Sequence, residues 1–292
     1  MKALATARGA VTVVNAIATG RGASLAIDLP LEAEVELLDE SRDVHVTIEP
    51  DVGEDPGLAR AVIAELNRRL GTSYGALVRT RSRIPASRGL KSSSAAANAI
   101  GLAANAAVQL MEGRSLPERE VLDLGVDAAV AAGVTLTGAY DDASASFLGG
   151  LCITDNGARR LFARHEMPSG LSAVLLVPAR KVRKKDVMDM PYAVIAPLAA
   201  RAHALALARE WPDALTLNGL AYGAVYRVDP APALAALAAG ALAAGVTGTG
   251  PAVAAVVPDA HAKAVAAAMA ASGEGDVLVA AVTNARAEVR PC

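Results

Sequence analysis

Residues 84–100 read IPASRGLKSSSAAANAI, a polar, glycine-bearing loop (Pro85 to Lys91) that runs through three serines into an alanine-rich helix. The first turn of a helix has N–H groups without intrahelical partners, and the helix dipole adds partial positive charge at that end. Gly89 withdraws the side chain that would keep an anion off the backbone. Ser92, Ser93 and Ser94 offer caps or hydroxyl ligands. Arg88 and Lys91 place two cations beside the same cavity. Capping alone explains serines ahead of alanines. Glycine, arginine, lysine and three serines in one junction point instead to an anion site, most naturally for a polyphosphate. The pattern G-x-x-x-x-G-K-[ST] is absent, so a nucleotide held here is held by another kind of loop.

The segments on either side suit that reading. Ala76 to Ile84 alternates apolar residues with Arg and Thr, a strand with one wet face that delivers the chain into the loop. The helix after it continues to about Met111. Upstream, Val11 to Asn15 reads as a strand, Asn15 to Gly22 as a glycine-punctuated turn, and Leu31–Leu38 and Val44–Glu49 as two more strands. Asp55 and Pro56 open a helix with Leu58, Val62, Leu66 and Leu70 on one face, ending at Gly71. Downstream, Pro117 opens a helix with Leu122, Val126 and Val130 turned inward.

The stretch Gly138 to Gly150, GAYDDASASFLGG, puts the adjacent carboxylates Asp141 and Asp142 at a helix start, where negative charge is favourable. Capping explains one aspartate. A pair invites a base or metal-ligand role, because a carboxylate is what a substrate hydroxyl needs to lose its proton. Asp155-Asn156-Gly157 between Leu151–Thr154 and Arg160–Arg164 signals a hairpin. Ser172–Val177 is a buried strand, and a basic loop follows, with Arg180, Lys181, Arg183, Lys184 and Lys185. Helices are expected at about Val194–Glu210, Ala214–Tyr226 and Ala231–Ala244. The glycine-rich turn and strand GVTGTGPAVAAVV starts at Gly245. A last helix, Ala260–Ala271, and strand, Val277–Val282, finish the pattern. The helix-rich second half suggests a subdomain beginning near Leu151, dividing the chain into 1–150 and 151–292.

Bulk properties exclude several classes. A 292-residue chain with 53% hydrophobic but only 3% aromatic residues builds its interior from alanine, valine and leucine. A formal net charge of -2 with interspersed signs argues against a nucleic-acid partner. Cys152 and Cys292 give no disulfide framework, and His45, His165, His203 and His261 show no metal-ligand spacing. The most membrane-like stretch, Ala231–Val246, is shorter than the ~20 residues of a span. The expectation is a reduced, soluble protein of the cytoplasm.

The loop resembles motif two of the GHMP kinases, P-x-x-x-G-L-x-S-S, through Pro85, Gly89, Leu90, Ser92 and Ser93, with Lys91 where relatives often carry a small residue. Gly245, Gly248, Thr249, Gly250 and Pro251 resemble motif three, and Asp141-Asp142 stands where relatives place a catalytic carboxylate. Within the family, GAVTVVNAIATGRGAS, SRGLKSSSAAANA, TGAYDDASAS and LNGLAYGAVY (Leu217–Tyr226) are similar to the archaeal-type shikimate kinase branch. The resemblance implies an α+β GHMP kinase fold: an amino-terminal domain like domain 2 of ribosomal protein S5, and a ferredoxin-like carboxy-terminal domain.

The resemblance further implies ATP and Mg2+ as cofactors and shikimate as acceptor, with no nucleic acid and no membrane. The ATP phosphates are expected on Pro85, Ala86, Ser87, Arg88, Gly89, Leu90, Lys91, Ser92, Ser93, Ser94 and Ala95. Asp141 is expected as base, with Asp142 the alternative. Magnesium falls to Ser93, with Asp127 second. Asn15, Thr19, Arg21, Asn218, Gly248, Thr249 and Gly250 are assigned to the acceptor, its carboxylate going to Arg21 or one of residues 180–185. Another GHMP small-molecule kinase, such as a homoserine kinase, and a non-catalytic sensor on the same frame are the alternatives.

Overall fold

The structure, a computed structural model, describes residues 1–51, 53–135, 137–182 and 186–290. Two long strands, β1 (Lys2–Val14) and β2 (Arg21–Leu38), pair antiparallel and are joined by a short 3₁₀ turn, Ala16–Ala18. The sequence pattern showed only the end of β1, because KALATARGA is too poor in branched residues to announce a strand. Burial of Ala3, Ala5 and Ala7 nevertheless follows the period of two.

β2 is long enough for two partners. Leu31–Leu38 pairs with β4 (Gly75–Ser82), which pairs in parallel with β3 (Val44–Glu49). Arg21–Leu25 pairs with β5 (Leu151–Asp155), whose hairpin partner is β6 (Arg160–His165). A terminal strand unforeseen in the sequence, β11 (Glu288–Arg290), closes the other edge against β1. The boundary expected at 150/151 thus cuts the β5–β6 hairpin from the sheet to which it belongs. The second layer starts at β7.

Four helices cover this sheet: α1 (Gly57–Leu70), α2 (Ser92–Glu112), α3 (Glu118–Ala131) and α4 (Tyr140–Leu148). α2 is central, packing on β1 and β2 and against the other three helices. Its buried side chains are mostly alanine (Ala95, Ala97, Ala99, Ala103, Ala104, Ala107), which lets neighbours approach closely. Val130, expected inward, is 53% exposed, because the buried face of α3 runs through Leu122, Val126 and Ala129 and turns away before it.

The second sheet contains β7 (Leu171–Val177), β8 (Ala243–Val246), β9 (Val253–Pro258) and β10 (Asp276–Ala281) in the antiparallel order β10-β7-β9-β8. With α5 (Tyr192–Leu207), α6 (Trp211–Tyr226) and α7 (Ala231–Ala238) between its first two strands and α8 (Ala262–Ser272) before its last, this is the expected ferredoxin-like arrangement. The helix expected over Ala231–Ala244 ends at Ala238, and Ala243–Val246 is strand. Alanine repeats do not distinguish the two, whereas Gly240, at φ +100°, stops the helix. Among the described residues, no helix is long and apolar enough to cross a membrane, and no group of three His, Cys, Asp or Glu could hold a metal ion. Cys152 is a buried free thiol, and Cys292 lies outside the described residues.

Candidate active site

β4 feeds a loop in which Ser87, Gly89 and Lys91 take left-handed φ values of 56°, 87° and 65°. Lys91 is the residue that caps α2, and no side chain caps the helix. The serines are therefore its first turn, not its cap. The Ala95 N–H is the first to find a helical partner, the Lys91 carbonyl at 3.1 Å. The amides of Ser92, Ser93 and Ser94 carry no hydrogen bond among the described residues, as an anion site requires.

Ser92 and Ser93 line a cavity of about 500 Å³ whose other walls include Val46, Ile48, Leu58, Ile84 and Leu278. An apolar chamber with bare amides along it suits a nucleoside body carrying an anionic tail. Pro85, Ala86, Arg88 and Lys181 also line it, while Leu90 and Ala95 point into the core. Arg88 Nε donates to the Pro178 carbonyl at 2.7 Å. Glu54 accepts from Ser87 Oγ at 3.1 Å and pairs with Lys181 at 3.5 Å, holding the start of the basic segment over the loop. The rest of that segment, Arg183 to Lys185, lies outside the described residues.

Lys91, expected as a counter-charge for phosphate, reaches the other way. Its Nζ lies 3.1 Å from Asp142 Oδ1, with the two side chains only 10% and 12% exposed. Ser24 Oγ donates to the same oxygen at 2.5 Å, and Asp142 Oδ2 carries no hydrogen bond among the described residues. Asp141 is walled in. Its Oδ1 accepts from Asn156 Nδ2 at 2.7 Å, and its Oδ2 lies against Gly22, where an added Cβ would come within 2.4 Å. Asn156 Oδ1 in turn accepts from the Asp141 amide at 3.1 Å and from Thr154 Oγ1 at 2.7 Å. Burial, then the neighbouring Asp142 carboxylate, pushes Asp141 up to about 7, against the pull of Lys91 and Asn156. One of two adjacent buried carboxylates thus keeps a proton near neutrality while the other is balanced by a cation on the anion loop.

Several expected residues do other work. Asn15 and Asn218 lie behind the site: the Asn15 amide donates to Asn218 Oδ1 at 2.8 Å, and Asn15 Nδ2 donates to the Gly248 carbonyl at 2.8 Å. Both are buried and bind protein. Gly248, at φ +61°, presses on the Gly89 backbone, so the turn of Gly248, Thr249 and Gly250 buttresses the anion loop; Thr249 is half-buried. Asp127 is not available to a metal. Each of its oxygens is held by a guanidinium, Arg69 on one side and Arg159 on the other. Thr19 Oγ1 accepts from the Arg21 amide at 3.3 Å, which closes the turn into β2. Arg21 reaches toward solvent, 3.9 Å from Asp155. Ser24, Gly22 and Asn156 were not anticipated as site residues. The Asn-Gly pair at 156–157 signalled only a hairpin.

Two family descriptions match the chain: "GHMP kinases N terminal domain" over residues 57–150 and "GHMP kinases C terminal" over 204–275. The fold is that of a homoserine kinase from Cytophaga hutchinsonii (TM-score 0.75, 19% identity, 99% of this chain and 97% of that one). It is also that of a mevalonate kinase (TM-score 0.70, 16% identity, 96% and 98% covered). The chain belongs to the GHMP kinases. It is 41% identical to a shikimate kinase of Methanothrix thermoacetophila over 99% of this chain and 96% of that protein. It is 40% identical to the shikimate kinase of Pyrococcus furiosus, over 89% and 93% of the two chains.

Proposed function

We propose that the protein transfers the γ-phosphoryl group of ATP to a hydroxyl of shikimate, giving 3-phosphoshikimate on the route to chorismate and the aromatic amino acids. The relatives at about 40% identity along nearly the whole chain point to that acceptor. The observation that carries the chemistry is Lys91: one residue belongs to the anion loop and salts the carboxylate pair. Phosphoryl transfer asks for positioning and charge neutralisation more than covalent help. Residues 85–95 hold the phosphates on the first-turn amides of α2, with Arg88 beside them.

Asp142 takes the acceptor's proton in preference to Asp141, reversing the order suggested by sequence. It is paired with Lys91 and has an oxygen without a hydrogen bond, whereas Asp141 is enclosed by Asn156, Ser24 and Gly22. Asp141, held by Asn156, shares the Ser24 hydroxyl with that carboxylate and so helps to orient it. Arg21, exposed beside Asp155 and next in sequence to the Gly22 that faces Asp141, meets the acceptor's own carboxylate. Mg2+ takes few protein ligands beside phosphate oxygens, and the Ser93 hydroxyl on the cavity wall fits that demand. When bound, the ion neutralises charge on the transferring phosphoryl group. Cytoplasmic ATP sets the location.

The test is incubation with Mg-ATP and shikimate, reading product by mass. A product heavier by one phosphoryl group supports the assignment. Turnover of homoserine with none of shikimate replaces it with a homoserine kinase, the activity named for one of the fold neighbours. ATP binding without transfer to either makes the protein a sensor.

A further inference from the structure

We infer that Thr247 is a positioning residue for the nucleotide loop, its hydroxyl holding the Gly89 peptide in a single orientation. The inference rests on the reading of residues 85–95 as the nucleotide site. Thr247 follows β8 and is fully buried. Its Oγ1 accepts the Thr12 amide of β1 at 2.9 Å and lies 3.1 Å from the Gly89 carbonyl. The direction is dictated by chemistry: the Thr12 N–H can only donate and the Gly89 carbonyl can only accept, so the one hydroxyl proton goes to Gly89. Thr12 Oγ1 returns the bond by accepting the Gly248 amide at 2.9 Å. β1, the turn after β8 and the loop before α2 are thereby joined at two buried hydroxyls, although they lie far apart in sequence.

The loop needs such an external hold. Two of its non-glycine residues, Ser87 and Lys91, sit in the left-handed region, which such residues occupy at a cost. A trans peptide sets its N–H opposite its C=O, so a Gly89 carbonyl fixed on Thr247 sends the Leu90 N–H to the other side of the loop. The backbones already touch: a Cβ on Gly89 would lie 2.2 Å from the Thr247 carbonyl oxygen, and one on Gly248 would lie 2.8 Å from Gly89 Cα. Contact limits how close the loop can come, and the hydroxyl keeps it from swinging away.

Thr247→Val keeps the shape and removes the bond, leaving the buried Thr12 amide and the partly buried Gly89 carbonyl without that partner. Isothermal titration of the full-length protein with Mg-ADP should show affinity reduced roughly ten-fold, the loop having to be re-formed at each binding event. Thr247→Ser should restore most of it. Ser172→Ala is the control. Its hydroxyl bonds Asp259 at 2.7 Å, remote from the loop, and its loss should lower thermal stability with nucleotide affinity unchanged. If Thr247→Val does not fold, Thr247→Ala takes its place against the same serine rescue. Wild-type affinity in the hydroxyl-free variant, or no recovery with serine, overturns the inference while leaving the nucleotide site standing. A wild-type protein that binds no Mg-ADP overturns the site, and the role of Thr247 with it.

Discussion

Replacing Lys91 by methionine removes the only charge described between the anion loop and the carboxylates, and its cost follows from the structure. At 3.1 Å, with an effective dielectric of about 20, the attraction between Lys91 and Asp142 is roughly 5 kcal/mol. Both side chains are nearly buried, so solvent does little to screen it. Methionine pays the same left-handed backbone cost at φ 65° and fills similar volume, so those contributions cancel. What remains is a buried carboxylate beside a second one with no cation, and removing one partner of a buried pair costs about 3–5 kcal/mol. The folded protein escapes part of this loss by keeping a proton on the pair. Urea unfolding at about pH 8 should therefore show the full 3–5 kcal/mol, and at about pH 5 a smaller loss. Lys91→Met/Asp142→Asn should recover most of it. Turnover should collapse in both variants. A loss below about 1 kcal/mol at the higher pH, or a double variant whose losses simply add, would refute the buried pair.

Asp141 is raised in the fold, so its folded form binds a proton more tightly than the unfolded chain does; the stability it contributes is present in acid and disappears as pH rises through neutrality. The stability of Asp141→Asn relative to wild type should accordingly increase from about pH 4 to about pH 8 in urea titrations, and a pH-independent difference would contradict the raised value. Gly89→Ala meets both a φ of 87° and a Thr247 oxygen 2.2 Å from its Cβ, so Mg-ADP affinity measured by calorimetry should fall by more than about ten-fold; ordinary affinity would show the loop to be pliable. Asp127→Asn breaks a partly exposed bridge to Arg69 and Arg159 and should cost about 1 kcal/mol in thermal unfolding. Its magnesium dependence should match wild type, and a shifted dependence would return Asp127 to the metal.

What could be read from the chain depended on whether the signal was local. α1, β3 and the β5–β6 hairpin were legible because their stop signals and alternation lie within each segment: Gly71 at the end of α1, Val44-Val46-Ile48 along β3, Asp155-Asn156-Gly157 in the turn. β8 was not, because AAGV reads the same in a helix or a strand and only its pairing with β9 decides. β11 was missed because three residues become a strand only by finding the edge of β1. The anion loop was legible because bare amides, a glycine and serines are a local chemistry. The partner of Lys91 was not, since whether a lysine neutralises phosphate or carboxylate depends on an element fifty residues away.

The glycines around the carboxylates show the same division in a sharper form. Gly20 and Gly22 stand two apart in one turn-like stretch and look alike in sequence. Gly20 has a φ of 75° and open space around it, so it is there for its backbone conformation. Gly22 lies in β2, where any residue could follow the backbone, yet a Cβ would sit 2.4 Å from Asp141 Oδ2. It is there for the space that the carboxylate fills. Asn15 and Asn218 invert that case: buried amides placed behind the site by β1 and α6 look like substrate ligands, but they bond each other and the turn at Gly248. A polar side chain in this family of sites is assigned by the atom it faces. The carboxylate pair is set by a glycine's missing side chain, a hairpin asparagine and a loop lysine, each of which has an ordinary local explanation and acquires its role only where β2, β5 and α2 converge on the start of α4.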